Sequence, residues 1–340
     1  MQKNRPIRVL IPERRTFNLN SQSVYVRVVE PMRWLKEQGL VEYAIVSEFD
    51  RNALFIVNWA DVVIFNKHSS GDSYELACHA KALKKKIIYD IDDNIFNVPD
   101  NLNVFSRNHE DSLRIIKLAS VLIVENTRLF NAMKPYHADL VVIPNGIFVD
   151  KYSSRILKNN KGHTCLFSSY VPSLNKFIRT FVQVLHDFQL KNPSVRFDLY
   201  GNNAMDFPAD RVIPPSCFSD FMSSIVACRP SMAIVPIWGS EDLSSAAYRD
   251  CKSPIKYIMY GLARIPTVFT DAMPYTTCVV NEENGLLVNN DYESWFYAMS
   301  RIYKDNKLRK KIQHNAYRDV CENFNIKKSA MAYYGVLKKI

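Results

Sequence analysis

Glycine is scarce in this sequence, at nine of 340 residues. Neither a G-x-G-x-x-G nor a G-x-x-x-x-G-K pattern occurs. Such loops bring backbone N–H groups up to phosphates in nicotinamide- and flavin-binding Rossmann enzymes and in P-loop NTPases. Their absence disfavours both classes, so any phosphate must be bound by helix ends and cationic side chains.

Paired cysteines and long apolar runs are also missing. The seven cysteines are scattered and form no C-x-x-C pair, which predicts reduced thiols and neither a disulfide framework nor a zinc site. No apolar run approaches the ~20 residues of a membrane span, since ALFIVNWADVVIF is broken by Asn58 and Asp61. The N-terminus enters a strand without signal-peptide features. We therefore predict a cytoplasmic protein, with the inner face of the membrane as an alternative location.

The net charge of +10 is unevenly distributed. Residues 1–150 hold 19 Lys/Arg and 18 Asp/Glu, whereas residues 151–340 hold 25 and 16. The second half would attract an anionic ligand. Nucleic acid is disfavoured because no basic tract with interleaved aromatics and no known nucleic-acid motif is present. Peripheral contact with an anionic membrane surface stays open and is compatible with an anion site.

Short apolar runs alternate with helical patterns, which predicts α/β architecture with parallel sheets covered on both faces. The polar stretch 144–162 interrupts the alternation, which then restarts. We predict an N-terminal domain over 1–150, a second domain over 151–325, and a helix over 326–340 that packs back toward the first domain. The predicted strands are 7–11, 43–46, 61–65, 86–90, 120–124, 139–143, 163–169, 195–201, 231–237 and 266–270.

The stretch KSPIKYIMYGLARIPTVFT at 252–270 predicts a helix followed by a buried strand. Ser253 would cap the helix and Pro254 would occupy its first position. Lys252 and Lys256 then lie beside a helix N-terminus, whose partial positive charge and free N–H groups suit a diphosphate. The alternative is an ordinary capped helix with solvated lysines.

Three carboxylates, those of Asp90, Asp92 and Asp93, follow the predicted strand 86–90 directly. Clustered carboxylates raise one another's pKa, so one of them could accept a hydroxyl proton. The alternative is a turn in which an aspartate caps the next residues. His68, after the strand 61–65, could contact a substrate and titrate near neutral pH, although a lone loop histidine is more often incidental.

The order of KSPIKY, DAMPY (271–275), NGLLV (284–288), Trp295 and LRKKIQHNA (308–316) resembles the C-terminal half of family-4-type glycosyltransferases (group 1) of bacterial surface-polysaccharide biosynthesis. The resemblance implies the GT-B fold: two Rossmann-like, doubly wound domains facing each other across a cleft. It implies sugar transfer with retention from a UDP-, GDP- or TDP-sugar to a glycan, lipid-linked or protein acceptor, with no obligatory cofactor or metal. It leaves the oligomeric state open.

Site residues follow from this resemblance and from the patterns above. Asp92, Asp93 and Lys256 are the predicted catalytic residues. The R-x-x-x-P segment predicts that Arg27 binds the acceptor, with a plain surface arginine as the alternative, and His68 is the second predicted acceptor contact. The predicted donor-binding residues are Lys252, Ser253, Tyr257, Gly201, Asn202, Glu241 and Lys176.

The sequence departs from the family at the paired glutamates, which would stand at Cys251 and Met259. Relatives use the second glutamate to bind the nucleotide ribose, which methionine cannot do, so Tyr257 or Glu241 would have to replace it. Two alternatives stay open: a non-catalytic binding or scaffolding subunit of a glycosylation complex, which Met259 supports, and, from another class, a GT-B-type sugar-nucleotide epimerase. Asn145-Gly146 is predicted to be a hinge between the domains.

Overall fold

The computed structural model describes residues 5–14, 22–50, 52–98, 109–153, 163–167, 177–201, 207–214, 216–237 and 246–340. Within these residues the chain forms two six-stranded sheets in which every registered strand pair is parallel. The predicted donor-binding residues Lys176, Asn202 and Glu241 lie outside the described residues, so their predicted roles stay predictions.

The first sheet has the strand order β2-β1-β3-β4-β5-β6. Its central strands are rich in valine and isoleucine and are buried along their whole length, as expected where helices cover both faces. The strands are β1 (Ile7–Glu13), β2 (Val41–Ser47), β3 (Val62–Asn66), β4 (Lys86–Ile91), β5 (Val121–Val124) and β6 (Leu140–Val142).

Helices cover this sheet between its strands. A π-helical turn, Tyr25–Val29, separates the first two helices and turns Arg27 into the interior. The helices are α1 (Gln22–Val24), α2 (Glu30–Glu37), α3 (Ala53–Trp59), α4 (Gly71–Ala82), α5 (His109–Leu118) and α6 (Thr127–Met133).

The second sheet has the order β12-β11-β10-β7-β8-β9. Its strands are β7 (His163–Phe167), β8 (Val195–Tyr200), β9 (Arg211–Ile213), β10 (Met232–Val235), β11 (Thr267–Thr270) and β12 (Leu286–Val288). Seven helices accompany it in the described part of the chain: α7 (Val149–Ser153), α8 (Ile178–Lys191), α9 (Phe218–Cys228), α10 (Ala246–Arg249), α11 (Ile255–Leu262), α12 (Tyr292–Lys304) and α13 (Asn306–Asn323).

The last helix, α14 (Ile326–Lys339), packs against α2 and the core of the first sheet, where Tyr333 is fully buried. The backbone of Ile147 meets the start of this helix through hydrogen bonds with Phe324 and Ile326. At Gly146 a Cβ atom would lie 2.9 Å from the Cα atom of Ile326, so only glycine fits this contact. Whether Asn145-Gly146 also acts as a hinge stays a prediction, as do the domain boundaries.

The predicted α/β fold with two Rossmann-like domains is confirmed, because the predicted strands recur in the two parallel sheets. The sequence patterns do not predict α3, α10 or the short strand β9, and they indicate irregular structure over 144–162, where α7 begins. Among the described residues, no helix is both long and apolar enough to cross a membrane.

Candidate active site

The candidate site lies where the carboxyl edge of the first sheet meets the segment just before α11. Lys252 bridges to Asp93 here, and the backbone carbonyls of residues 251 and 252 accept hydrogen bonds from Asn126. If the strands of the second sheet are renumbered 1 to 6 from β7 to β12, their order across the sheet is 3-2-1-4-5-6, read from the β9 edge. This is the strand order of dinucleotide-binding domains. Parallel sheets bind ligands outside their carboxyl edges, so this junction is the expected location of a site.

The acidic pair Asp92 and Asp93 extends from the end of β4 into the junction. Lys67, which follows β3, places its Nζ atom 2.6 Å from Asp92 Oδ1 and 2.9 Å from Asp93 Oδ2. Ser23 Oγ donates to both carboxylate oxygens of Asp92, at 2.9 Å. Asp93 also lies 3.5 Å from Lys252 Nζ. These two predicted catalytic residues therefore lie together, and Asp93 joins cations of both domains.

Asp90 lies deeper and forms a buried pair with Arg27. The guanidinium approaches both carboxylate oxygens, with Nη2 at 2.6 Å and Nε at 3.1 Å. Tyr333 of α14 and Asn66 donate to the same carboxylate. Arg27 is 2% exposed, so its side chain cannot touch an acceptor in this structure. The predicted acceptor role of Arg27 requires an exposed side chain, and so does the alternative of a plain surface arginine. The π-helical turn instead directs this side chain into the interior, so neither interpretation fits the structure.

His68, the second predicted acceptor contact, is fully buried at the end of β3. Burial, reinforced by the charge of Arg14, lowers the pKa of His68 well below its usual value. We therefore expect it to be neutral at pH 7, and the predicted titration near neutral pH does not fit this environment. Its backbone carbonyl accepts hydrogen bonds from Tyr89 and Ser112, which fix the loop after β3.

The start of α11 differs from the prediction by about one residue. The N-cap position is Pro254 and no side chain caps it, so the predicted capping role of Ser253 is not observed. Instead, Ser253 Oγ accepts a hydrogen bond from Asn145 Nδ2 at 2.6 Å. The serine hydroxyl is thus held by the first domain immediately before the helix of the second.

The two lysines at this helix start have different electrostatic environments. Burial opposes protonation of Lys252, but Asp93 and the Tyr248 hydroxyl outweigh it and raise the Lys252 pKa. Burial, with the charge of Lys252 adding to it, lowers the pKa of Lys256 from 10.5 to about 7. Among the described residues, no carboxylate forms an ion pair with Lys256. A bound anion would therefore stabilise the protonated form of Lys256 and raise its pKa.

Two predicted donor-binding residues lie elsewhere in the second domain. The hydroxyl of Tyr257 donates to Asp319 of α13 and accepts from Asn284, and its side chain is 1% exposed. It therefore faces the core and has no free path to a ribose in this structure. Gly201 follows β8 at the carboxyl edge with φ +139°, a backbone conformation that glycine adopts readily.

The structure adds two residues that the sequence reading did not single out. Glu125 and Asn126 follow β5, the neighbour of β4, and Glu125 is 2% exposed. Burial raises the pKa of Glu125, although Arg27 and Asn126 oppose the shift. Both residues could have been predicted from the sequence because they directly follow a strand. The carboxyl ends of neighbouring parallel strands meet at one edge of the sheet, where ligands bind. Among the described residues, no group of three or more His, Cys, Asp or Glu could hold a metal ion.

Comparison with protein families and with curated proteins finds no match to the sequence. Solved structures do match. HepE of Anabaena, in complex with UDP and glucose, aligns with a TM-score of 0.67 at 13% identity over 98% of this chain and all of that one. A glycosyltransferase of Rickettsia africae gives 0.66 at 13% identity, covering 98% of each chain. Sucrose-phosphate synthase of Thermosynechococcus elongatus gives 0.61 at 12% identity, over 98% of this chain and 99% of that one.

This chain has the GT-B fold. The alignments run over nearly the whole length on both sides, so both domains are matched. The GT-B arrangement predicted from the order of motifs is therefore confirmed. In this fold the junction described above is the cleft between the two domains.

Proposed function

We propose that this protein is a glycosyltransferase that transfers a sugar from a nucleotide-sugar. The observation that carries the proposal is the lysine pair beside the start of α11, in which Lys252 bridges to Asp93 of the first domain and Lys256 has no ion-pair partner among the described residues. The structural neighbour HepE binds UDP, glucose and UDP-glucose, which supports a nucleotide-sugar donor.

The diphosphate of the donor would lie against the N-terminus of α11. Negative charge develops on this group when the bond between the sugar and the phosphate breaks. Two lysines and the unpaired N–H groups of the helix would stabilise that charge. Lys256 contributes most in its protonated form, and the approaching diphosphate favours that form by raising its pKa.

Asp92 and Asp93 would face the sugar and the acceptor from the first domain. A carboxylate at this position can accept a hydrogen bond, or a proton, from an acceptor hydroxyl. Closure of the two domains around the ligand would exclude water, which otherwise competes as an acceptor. We further propose a hexose or related sugar and retention of its configuration, with a glycan, lipid-linked or protein acceptor.

A non-catalytic binding subunit is the second candidate. Met259 is 4% exposed and Tyr257 is occupied within the core, so no described residue of α11 replaces the ribose-binding glutamate. An epimerase is the third, because a proposed UDP-N-acetylglucosamine 2-epimerase of Listeria monocytogenes also aligns, with a TM-score of 0.60 at 8% identity.

Calorimetry with UDP, GDP and TDP, followed by donor-consumption assays, tests these candidates. We expect one diphosphate to bind, and Lys256→Ala to lower turnover of the matching sugar nucleotide about tenfold or more. The control is Lys310→Ala, an exposed lysine of α13. Absence of binding to all three would favour the scaffold, and conversion of the donor to its epimer without an acceptor would favour the epimerase. Unchanged kinetics in Lys256→Ala would remove this lysine from the mechanism.

A further inference from the structure

Two asparagines of the first domain hold the segment that precedes α11 in the second. Asn126 follows β5 and Asn145 follows β6, so both project from adjacent strand ends of the first sheet. Their side-chain amides contact residues 251–253, immediately before the helix that carries Lys256. Neither asparagine belongs to the predicted set of site residues.

The orientation of the Asn126 amide is fixed by its role as a helix cap. Its Oδ1 atom accepts from the backbone N–H of Leu129 at 2.9 Å, which caps α6. The Nδ2 group must therefore point away from that helix. It donates to Glu125 Oε2 at 2.7 Å and also lies 3.0 Å from the carbonyl oxygen of Cys251 and 3.3 Å from that of Lys252. Two consecutive carbonyls of the segment are thereby turned toward the first domain.

The orientation of Asn145 is fixed in the same way by a buried cation. Its Oδ1 atom accepts from Arg27 Nη1 at 3.3 Å, and Arg27 is itself anchored by Asp90. Only the Nδ2 group can then face the second domain, where it donates to Ser253 Oγ at 2.6 Å. Asn145 is 5% exposed, so this amide has little freedom to reorient.

This hydrogen bond determines what the serine can offer to a ligand. A hydroxyl that accepts a hydrogen bond still has its own proton to donate. Held in this way, Ser253 can direct its O–H toward a phosphate oxygen in front of α11. Hydrogen bonds to charged groups are among the stronger ones in proteins.

We propose that Asn126 and Asn145 are positioning residues that present the 251–253 segment, and the Ser253 hydroxyl, to the diphosphate of the donor. The inference rests on the proposed function for the identity of the ligand. It assigns part of the donor site to the first domain. Donor affinity therefore depends on how the two domains are docked.

The first measurement needs no ligand. In Asn126→Ser, a serine can still cap α6, but the Nδ2 group that donates to the carbonyls of residues 251 and 252 is lost. In Asn145→Asp, a carboxylate can still pair with Arg27 but cannot donate to Ser253. We expect the backbone amides of Cys251 and Lys252 to exchange with deuterium about fivefold faster in each variant. Asn192→Ala, which removes an amide at the end of α8, is the control and should leave them unchanged.

The second measurement is the dissociation constant for UDP. We expect Asn145→Asp and Ser253→Ala each to weaken binding about tenfold, and the double variant to be no weaker than either alone. Additive losses would mean that Asn145 does not act through Ser253 and would overturn its assigned role. A purely structural asparagine would instead lower thermal stability without this coupling in affinity.

The two measurements separate failure of this inference from failure of the proposed function. Unchanged amide exchange in both variants overturns the positioning role, whether or not UDP binds. If the unaltered protein binds no UDP, GDP or TDP, the proposed function fails. In that case the proposed contact between Ser253 and a diphosphate is refuted as well. Amide exchange would still show whether the first domain holds the 251–253 segment.

Discussion

Binding of a diphosphate should be accompanied by uptake of a proton at Lys256. In the unliganded protein, burial and the charge of Lys252 lower the pKa of Lys256 to about 7. A diphosphate in contact with the amine reverses this balance and raises its pKa again. Because the unfolded chain would hold this proton up to its ordinary pKa of 10.5, the free energy of unfolding should rise with pH between 7 and 10.5.

The size of the effect follows from the fraction of neutral lysine. At pH 7 about half of the molecules carry a neutral Lys256, so binding should take up about half a proton, rising to about one at pH 8.5. The apparent dissociation constant for UDP should increase about 15-fold between these pH values. The phosphate of UDP, with its second pKa near 6, is ionised throughout this range and adds little.

Calorimetry in two buffers of different ionisation enthalpy measures this uptake directly. Lys256→Arg keeps a positive charge at every pH, so it should bind UDP without proton uptake and with an affinity that is flat from pH 7 to about 8.5. Lys256→Met should bind weakly and also without pH dependence. Binding of UDP by the unaltered protein with no proton uptake and a flat profile would refute the reasoning.

Three further predictions concern other parts of the structure. Asp93→Asn removes the anion that competes with a diphosphate for the lysine before α11, so UDP should bind several-fold tighter (about 1 kcal/mol) while turnover falls; equal or weaker binding in calorimetry would contradict this. Arg27→Met leaves Asp90 buried without its cation and should lower stability in urea by about 3–5 kcal/mol, and a negligible loss would show that the pair is not needed. Gly261→Ala places a Cβ atom 2.8 Å from a side chain of α13 and should lower the free energy of unfolding by about 1–3 kcal/mol, measured by thermal unfolding. Gly335→Ala, in open space on α14, is the control and should leave this free energy unchanged or raise it.

The fold could be predicted because it follows from local patterns. Apolar runs such as those of β3 and β5 are bounded by polar loops, and helical patterns separate them, so the alternation itself indicates parallel sheets. The elements that were missed lack such patterns. Strand β9 has three residues, of which two are exposed, and only Ala60 and Asp61 separate α3 from β3, with no glycine or proline to mark a turn. Short elements of this kind are specified by tertiary contacts.

The candidate site could be predicted only where its residues lie at strand or helix ends. The closeness of Asp92, Asp93 and Lys252 could be predicted because their positions at a strand end and before a helix follow from local structure; their roles stay predictions. The burial of Arg27 was not predictable, since it depends on a π-helical turn and on Tyr333, more than 300 residues away along the chain. The same holds for Asn145, whose contact with Ser253 exists only when the domains are docked.

The distribution of charge across the cleft has a consequence for the order of binding. Without ligand, Asp93 lies between Lys67 of its own domain and Lys252 of the other. On the proposed function, a diphosphate at α11 would take Lys252 from Asp93, because a phosphate carries more charge than a carboxylate. The carboxylate would then keep its ion pair with Lys67 and could turn toward an acceptor hydroxyl. Donor binding is thus expected to prepare the acceptor side of the cleft, and initial-rate kinetics should show the donor binding first.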